Sequence, residues 1–117
     1  MTVKRPTTVL ELLVAARELI GVREHWCINA LALTKLGRRT APQSRAAVSW
    51  CAIGALDKLA GARHLTERNE AKQLLDDEAN LLAYAAMVIV NDEGNYALVL
   101  RLYDLAIAQA RELEAQS

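Results

Sequence analysis

The sequence predicts a single all-α domain over residues 1–117, built as a compact bundle of four to five helices. Three observations support this prediction: Ala and Leu dominate the apolar residues, Phe is absent, and Gly and Pro are few. Ala and Leu are strong helix formers, whereas strands favour branched and aromatic side chains. A chain of this length forms one ordinary domain.

The first helix is predicted at about 8–20. Thr8 followed by Glu11 matches a capping box, in which each side chain accepts a hydrogen bond from a free backbone N–H at the helix start. Apolar residues then recur at helical spacing and form one stripe. Gly21 ends the helix.

The middle of the chain is predicted as two helices joined by a loop. Ala and Leu favour a helix at about 24–35, although a strand-like piece is the alternative. Gly, Pro and paired Arg residues make 36–42 a loop. Ser44 is a suitable N-cap for a third helix at about 45–60, which Gly61 terminates.

The third helix is apolar nearly all round and is therefore predicted at the centre of the bundle. Trp50 would seal the bundle, and its indole N–H needs a partner. Cys51 lies on an apolar stripe and is predicted to be a buried structural thiol. Gly54 would permit the close approach of a neighbouring helix or of a Trp ring.

The last part of the chain predicts two more helices. Thr66 caps a fourth helix, from 67 to about 88. A turn follows at 91–94, and Asn95 then caps a final helix at about 96–114.

The net charge of zero conceals a polarised chain. Residues 1–63 carry ten Lys and Arg against four Asp and Glu, whereas residues 64–117 carry four against ten. Pairing of basic and acidic helices across the bundle is one explanation, and self-association of the basic half with the acidic half is another. The third is a basic patch that binds phosphate or an acidic partner, formed by Lys35, Arg38, Arg39 and Arg45.

The sequence gives little support for a metal site or for a cofactor. The residue types that bind soft metals are few, and their spacing matches structural zinc sites poorly. They are His25, Cys27, Cys51 and His64. No phosphate loop, dinucleotide fingerprint or catalytic motif is present. We therefore predict no metal and no cofactor.

A cysteine nucleophile is the catalytic alternative. Cys51 would need His25 or His64 within hydrogen-bond reach, with Asp92 orienting the base. A reactive thiolate requires an electropositive setting, whereas Cys51 lies beside apolar neighbours.

A shallow cleft where Trp26, Trp50 and Asp92 meet is the candidate ligand site. The structural explanation of the same residues is that Trp50 seals the bundle while Asn91 and Asp92 end one helix and orient the next.

The same residues carry a resemblance to a family. The elements are Trp26 with Gly37 eleven residues later, Trp50-Cys51-x-x-Gly54-Ala55-Leu56, and Asn91-Asp92 before a final helix. With these elements the chain resembles an uncharacterised family of short bacterial and phage-borne helical proteins. The resemblance implies a compact helical fold and a connection with phages or mobile elements, but no reaction.

We therefore expect a small intracellular protein-binding module, in a specific version a phage inhibitor or adaptor that acts on a host protein complex. The basic loop 35–45 is the expected contact surface, and a homodimer is an alternative state. The competing functions are an enzyme that uses Cys51, His64 and Asp92, and nucleic-acid binding through loop 35–45, which the acidic half of the chain disfavours.

The predicted location is cytoplasmic, with no membrane partner. The longest uncharged run, 79–91, has 13 residues, whereas a spanning helix needs about 20. No targeting signal is evident, and two Cys in such a chain are expected to be reduced thiols.

Overall fold

The computed structural model describes residues 6–116, which form five helices and a two-stranded antiparallel sheet. The helices are α1 (Val9–Ile20), α2 (Ala52–Ala60), α3 (Leu65–Ala83), α4 (Met87–Asp92) and α5 (Tyr96–Ala115), and the strands are β1 (Ala32–Thr34) and β2 (Ala47–Trp50). The mostly helical fold is as predicted, but the sheet makes a purely all-α classification wrong.

The first and last helices are as predicted. The Thr8 hydroxyl accepts the Glu11 N–H at 3.1 Å, and the Glu11 carboxylate accepts the Thr8 N–H at 3.2 Å, which completes the capping box of α1. The Asn95 side chain accepts the N–H of Leu98 at 3.0 Å and caps α5.

Helices α1 and α5 lie against each other in the folded chain. The Tyr96 hydroxyl donates to the backbone carbonyl of Ile20 at 2.6 Å, so the end of α1 meets the beginning of α5. The Arg17 guanidinium lies 3.0 Å from the Asp104 carboxylate across the same pair. The earliest and latest helices of the described chain are therefore direct neighbours.

The predicted helix at 24–35 is wrong. One 3-10 turn, Arg23–His25, is followed by a bridge at Trp26, by an irregular segment with bends at 28–31, and then by β1. The Cys27 N–H donates to the carbonyl of Trp50 at 3.1 Å, and the Cys51 N–H donates to the carbonyl of Leu31 at 3.1 Å. These long-range backbone hydrogen bonds override the local helix preference of Ala and Leu.

The predicted helix at 45–60 is wrong in its first part. Residues 47–50 form β2, and α2 begins only at Ala52, with Cys51 as its N-cap. Ser44 does not cap a helix, because its hydroxyl accepts the Ala46 N–H within a turn before β2. The predicted end at Gly61 is confirmed.

The predicted fourth helix divides into two. Helix α3 begins at Leu65, so Thr66 lies inside its first turn and is not the cap. It ends at Ala83 because Tyr84 adopts the left-handed conformation, with φ of 55°. Helix α4 then begins separately.

The sheet is short and is extended on both sides by single bridges. Ala32 pairs with Trp50, Leu33 with Ser49 and Thr34 with Ala47, with an irregularity between Leu33 and Thr34. Arg39 forms a bridge with Leu33 on the outer side of β1, and Trp26 forms a bridge with Trp50 on the other side of β2. The segment between the first two helices is thus tied into one small sheet.

The core lies between the four longer helices. Tyr103 is fully buried, and its hydroxyl donates to the carbonyl of Ala52 at 2.5 Å. The largest apolar side chains that are fully buried around it are Leu12, Leu13, Ile20, Leu56, Leu75, Met87 and Leu102. Burying each such side chain contributes about 1.5–3 kcal/mol. Within residues 6–116 no helix is both long and apolar enough to cross a membrane.

Candidate functional site

The side chain of Asn91 joins three distant segments of the chain. It is fully buried, and its Oδ1 accepts the indole N–H of Trp26 at 2.7 Å and the N–H of Ala52 at 2.9 Å. Its Nδ2 donates to the carbonyl of Cys27 at 3.0 Å and to Asp92 Oδ1 at 3.3 Å. We call these five residues the Asn91 node.

The Asp92 carboxylate holds the loop that follows Trp26. Its Oδ1 accepts the N–H of Asn29 at 2.8 Å. Asn29 has a φ of 62°, which Asn tolerates better than most residues. The pair Asn91-Asp92 therefore fixes both ends of the segment 26–29. The sequence did not predict this role, since it suggested only that the pair ends one helix and orients the next.

Cys51 serves as the N-cap of α2. Its Sγ accepts the N–H of Gly54 at 3.2 Å. Burial raises the pKa of this thiol to about 11. Hydrogen bonds from backbone N–H groups oppose this rise, and the charge of Asp92 adds a still smaller increase. The residue is therefore a protonated thiol near neutral pH, which is the opposite of what a cysteine nucleophile needs.

The residues of the predicted catalytic alternative do not form a hydrogen-bonded unit. His64 is the N-cap residue of α3, and its Nδ1 lies 3.5 Å from Glu67 Oε1. Among residues 6–116 no hydrogen bond or ion pair joins Cys51 to His64, and His25 is exposed in the 3-10 turn. In that part of the chain no group of three or more His, Cys, Asp or Glu could hold a metal ion.

The two tryptophans meet through backbone and differ in accessibility. Trp50 is buried, and its indole N–H donates to the carbonyl of Pro42 at 2.8 Å. Trp26 is half-buried and lies against Tyr96, with ring centroids 5.0 Å apart and the Arg23 guanidinium nearby. Where a cleft between Trp26, Trp50 and Asp92 was predicted, the polar groups of these residues are therefore engaged in hydrogen bonds that hold the fold. Of the two indole rings, that of Trp26 is the more accessible.

Residues 34–39 form a tight turn that we call the basic hairpin. The Thr34 N–H donates to the carbonyl of Arg38 at 2.8 Å, and the Gly37 N–H donates to the carbonyl of Thr34 at 2.9 Å. Gly37 has a φ of 78°, which a turn of this kind requires. The Arg38 N–H also donates to the Thr34 hydroxyl. The backbone of the basic hairpin is thereby fixed. Leu36 lies at the tip of this hairpin, and 81% of the Leu36 surface is exposed.

The cations predicted for binding all lie on or next to the basic hairpin. Lys35, Arg38 and Arg39 are on it, and Arg45 lies in the turn before β2. All four are exposed, and none belongs to an ion pair within residues 6–116.

Three of the other Lys and Arg residues in the described part of the chain form ion pairs. Arg68 lies 2.6 Å from Asp57 between α3 and α2, and Lys72 lies 2.7 Å from Asp76 within α3. Only the Arg17–Asp104 pair, across α1 and α5, joins a base of the first half to an acid of the second half, as the explanation by pairing of basic and acidic helices requires. That explanation does not extend to the basic hairpin.

An open apolar groove of about 410 Å³ lies where α1 begins and α5 ends, beside α3. Its apolar lining residues are Val9, Leu10, Leu74, Ala110 and Leu113, and its polar ones are Glu70, Gln73 and Glu114. Sequence reasoning missed this groove, because helical periodicity places Leu74 and Leu113 on inward faces and cannot show that their neighbours leave a gap.

A second exposed apolar surface lies at the junction of α3 and α4. Tyr84 is 92% exposed and Leu81 is 74% exposed, and their exposed neighbours are Leu82, Val88 and Ile89. The sequence places these residues inside one long helix, and no turn signal marks the break, since the left-handed residue is Tyr and not Gly.

Fold and site together define a small, mostly helical protein whose short sheet is held to the helices by a buried asparagine. A family model, described as a family of unknown function (DUF6197), matches residues 4–109. The match covers most of the chain, and the chain therefore belongs to this family. No curated protein and no solved structure matches the chain.

The expectation of an uncharacterised family is confirmed. Residues that carry the resemblance come together in the structure: Trp26, Asn91 and Asp92 belong to the Asn91 node, and Cys51 and Gly54 form the beginning of α2 beside it. The residues of these short motifs therefore stabilise the fold through hydrogen bonds.

Proposed function

We propose that this protein is a protein-binding module and that the basic hairpin is its contact surface. The observation that carries the proposal is the exposed Leu36 at the tip of a fixed turn, between cations that form no ion pair within residues 6–116. This function is the one we expected from the sequence, and the same loop was the expected surface.

The geometry of the tip suits recognition of a protein. A binding surface gains most from an apolar anchor surrounded by polar groups, and Arg is enriched in such contacts. Because hydrogen bonds already order the backbone from Thr34 to Arg38, little conformational entropy is lost when a partner binds. A single Leu beside three cations fits an apolar pocket with acidic residues at its edge.

The charges define the class of partner. Lys35, Arg38 and Arg39 attract an acidic protein surface and accelerate association at low ionic strength. Nucleic acid is the competing occupant, since it also attracts cations, but it offers no apolar pocket for Leu36. In the specific version of the proposal, the protein is a phage-borne inhibitor or adaptor that acts in the cytoplasm on a host protein complex, an origin that rests on the resemblance alone.

The proposal is tested by capture from a bacterial lysate with three tagged proteins. The first is the unaltered chain, the second carries R38E and R39E, and the control carries R63E and R101E, which make the same charge change at two other exposed arginines. We expect the hairpin variant to lose at least tenfold of the captured protein and the control to retain it.

Two further measurements separate the alternatives. Labelled DNA and RNA are titrated with the unaltered chain at low salt, and binding that R38E and R39E abolish would support nucleic acid in place of protein. Equal capture by the hairpin variant and the control would show that the contact surface lies elsewhere.

A further inference from the structure

We propose that the partner of the basic hairpin is a second copy of this chain, whose apolar groove receives Leu36. This inference rests on the proposed function of the hairpin and names its occupant. One surface of the molecule offers an apolar anchor with cations, and another surface of the same molecule offers an apolar groove with carboxylates.

The groove complements the tip in size and in polarity. Its volume of about 410 Å³ is ample for one leucine side chain and part of its turn. Leu113 at its end is 48% exposed, so an apolar surface is available for Leu36 to cover.

The charges of the two surfaces are opposite. Glu70 and Glu114 lie in the lining of the groove, whereas the tip carries Lys35 and Arg38. Glu70 is exposed, and no ion pair is described for it within residues 6–116. The contact would thus join the basic first half of one copy to the acidic second half of the next.

The two surfaces belong to different parts of the fold. The groove lies where α1 begins, at Val9 and Leu10, whereas the sheet meets the α1–α5 pair at its other end through Trp26 and Tyr96. A helix of 12 residues such as α1 separates its ends by about 18 Å. The contact is therefore head-to-tail: when two copies join, one keeps a free groove and the other keeps a free hairpin.

A head-to-tail contact and a symmetric dimer differ in the assemblies that we expect from them. Such contacts generate rings or open chains unless one of the two surfaces is blocked. The hairpin is blocked by L36D, and the groove is blocked by E70R with L113R, which places two positive charges where Lys35 and Arg38 would arrive. Leu36, Glu70 and Leu113 are all exposed, so these substitutions spare the core.

The experiment is sedimentation velocity over a wide concentration range, at low and at high salt. We expect the unaltered chain to form assemblies that grow with concentration and shrink as salt screens the charges. Each blocked variant alone should remain a monomer, and an equimolar mixture of the two should form a complex of two chains and nothing larger. The R101E variant is the control and should assemble like the unaltered chain.

The outcomes distinguish failure of self-association from failure of the proposed function. A chain that stays monomeric at every concentration, or a mixture of the two variants that stays monomeric, overturns self-association, provided that circular dichroism shows both variants folded. If the chain is monomeric but R38E and R39E still abolish capture of a lysate protein, the proposed function stands and only this inference fails. If the groove variant also loses that protein, the groove belongs to a different protein, which equally overturns the inference.

Discussion

The indole N–H of Trp26 donates to the side-chain oxygen of Asn91 across 65 residues of sequence, at 2.7 Å. The same oxygen receives the first N–H of α2, from Ala52. One amide group thus determines where the chain after α1 lies and where α2 begins.

Replacing Asn91 with Leu should destabilise the protein by about 3–5 kcal/mol. The substitution leaves two hydrogen-bond donors, on Trp26 and Ala52, and one acceptor, the carbonyl of Cys27, without their partner. Leu has nearly the same volume, so the loss reports hydrogen bonding and not a cavity. Urea unfolding followed by circular dichroism measures the change. Asn80→Ala, at an exposed position in α3, should remain within about 0.5 kcal/mol. An equal effect of the two substitutions would contradict the role assigned to the node.

Gly54→Ala should be among the most harmful single-methyl substitutions in this protein. A Cβ at this position would overlap the carbonyl oxygen of Leu31 and lie 2.8 Å from its carbonyl carbon. The obstacle is backbone, which is itself fixed by a hydrogen bond from Cys51, so it cannot rotate away. We expect a loss of about 3 kcal/mol or more in unfolding free energy.

The matched control for that substitution is Gly94→Ala. Gly94 has a φ of 84° and open space around it, so a Cβ there adds backbone strain of about 1–2 kcal/mol without a clash. If Gly54→Ala costs no more than this control, the contact with Leu31 does not restrict the position.

Stability should fall as the pH rises above about 9. In the unfolded chain the Cys51 thiol ionises at its ordinary pKa of 9.0, whereas in the folded chain burial raises that pKa to about 11. Between these values the unfolded state holds fewer protons, so the free energy of unfolding decreases with pH. The contribution is fully present below pH 9 and decreases by roughly 2–3 kcal/mol as the pH reaches 11.

Cys51→Ser isolates this effect, because a hydroxyl keeps the cap to Gly54 but does not titrate in that range. Burial also raises the pKa of Cys27 and that of Tyr103, so the variant should still lose some stability at high pH. Urea unfolding at neutral pH and near pH 10.5 is the measurement. Identical losses in the unaltered chain and in the variant would exclude Cys51 as the source.

Tyr84→Gly should stabilise the protein by about 1 kcal/mol. Tyr84 ends α3 in the left-handed conformation, which Gly adopts without strain, and its side chain is almost wholly exposed. For a domain of this size the melting temperature should rise by a few degrees. Tyr84→Ala removes the same ring but keeps the strain, so it should not stabilise. A gain in both variants would attribute the effect to the ring.

The parts of the fold that the sequence predicts well are those set by local hydrogen bonds. Thr8 with Glu11 and Asn95 with Leu98 close contacts within one turn, so a short stretch of sequence contains both partners. Gly61 ends α2 for an equally local reason.

The wrong predictions share the opposite property. Strand β2 and the late start of α2 depend on Trp26, Leu31 and Asn91, which lie far from residues 47–51 in the sequence. Helix propensity depends on the local sequence alone, so it cannot account for hydrogen bonds to those distant residues. For the candidate site, the sequence did identify the exposed cations of the hairpin, because charge and a loop signal suffice, but it could not identify the groove, which is a space left between three helices.

The adjacency of α1 and α5 bears on how the protein is made. The ribosome delivers α1 well before α5, yet α5 provides one of the surfaces against which α1 packs, with Ile20 bonded to Tyr96 and Arg17 paired with Asp104. During synthesis α1 can pack against α2 and α3 first, but the part of its surface that faces α5 stays uncovered until α5 has left the ribosome. A nascent chain stalled before residue 96 would leave that part of α1 exposed to solvent, however well the helix itself had formed.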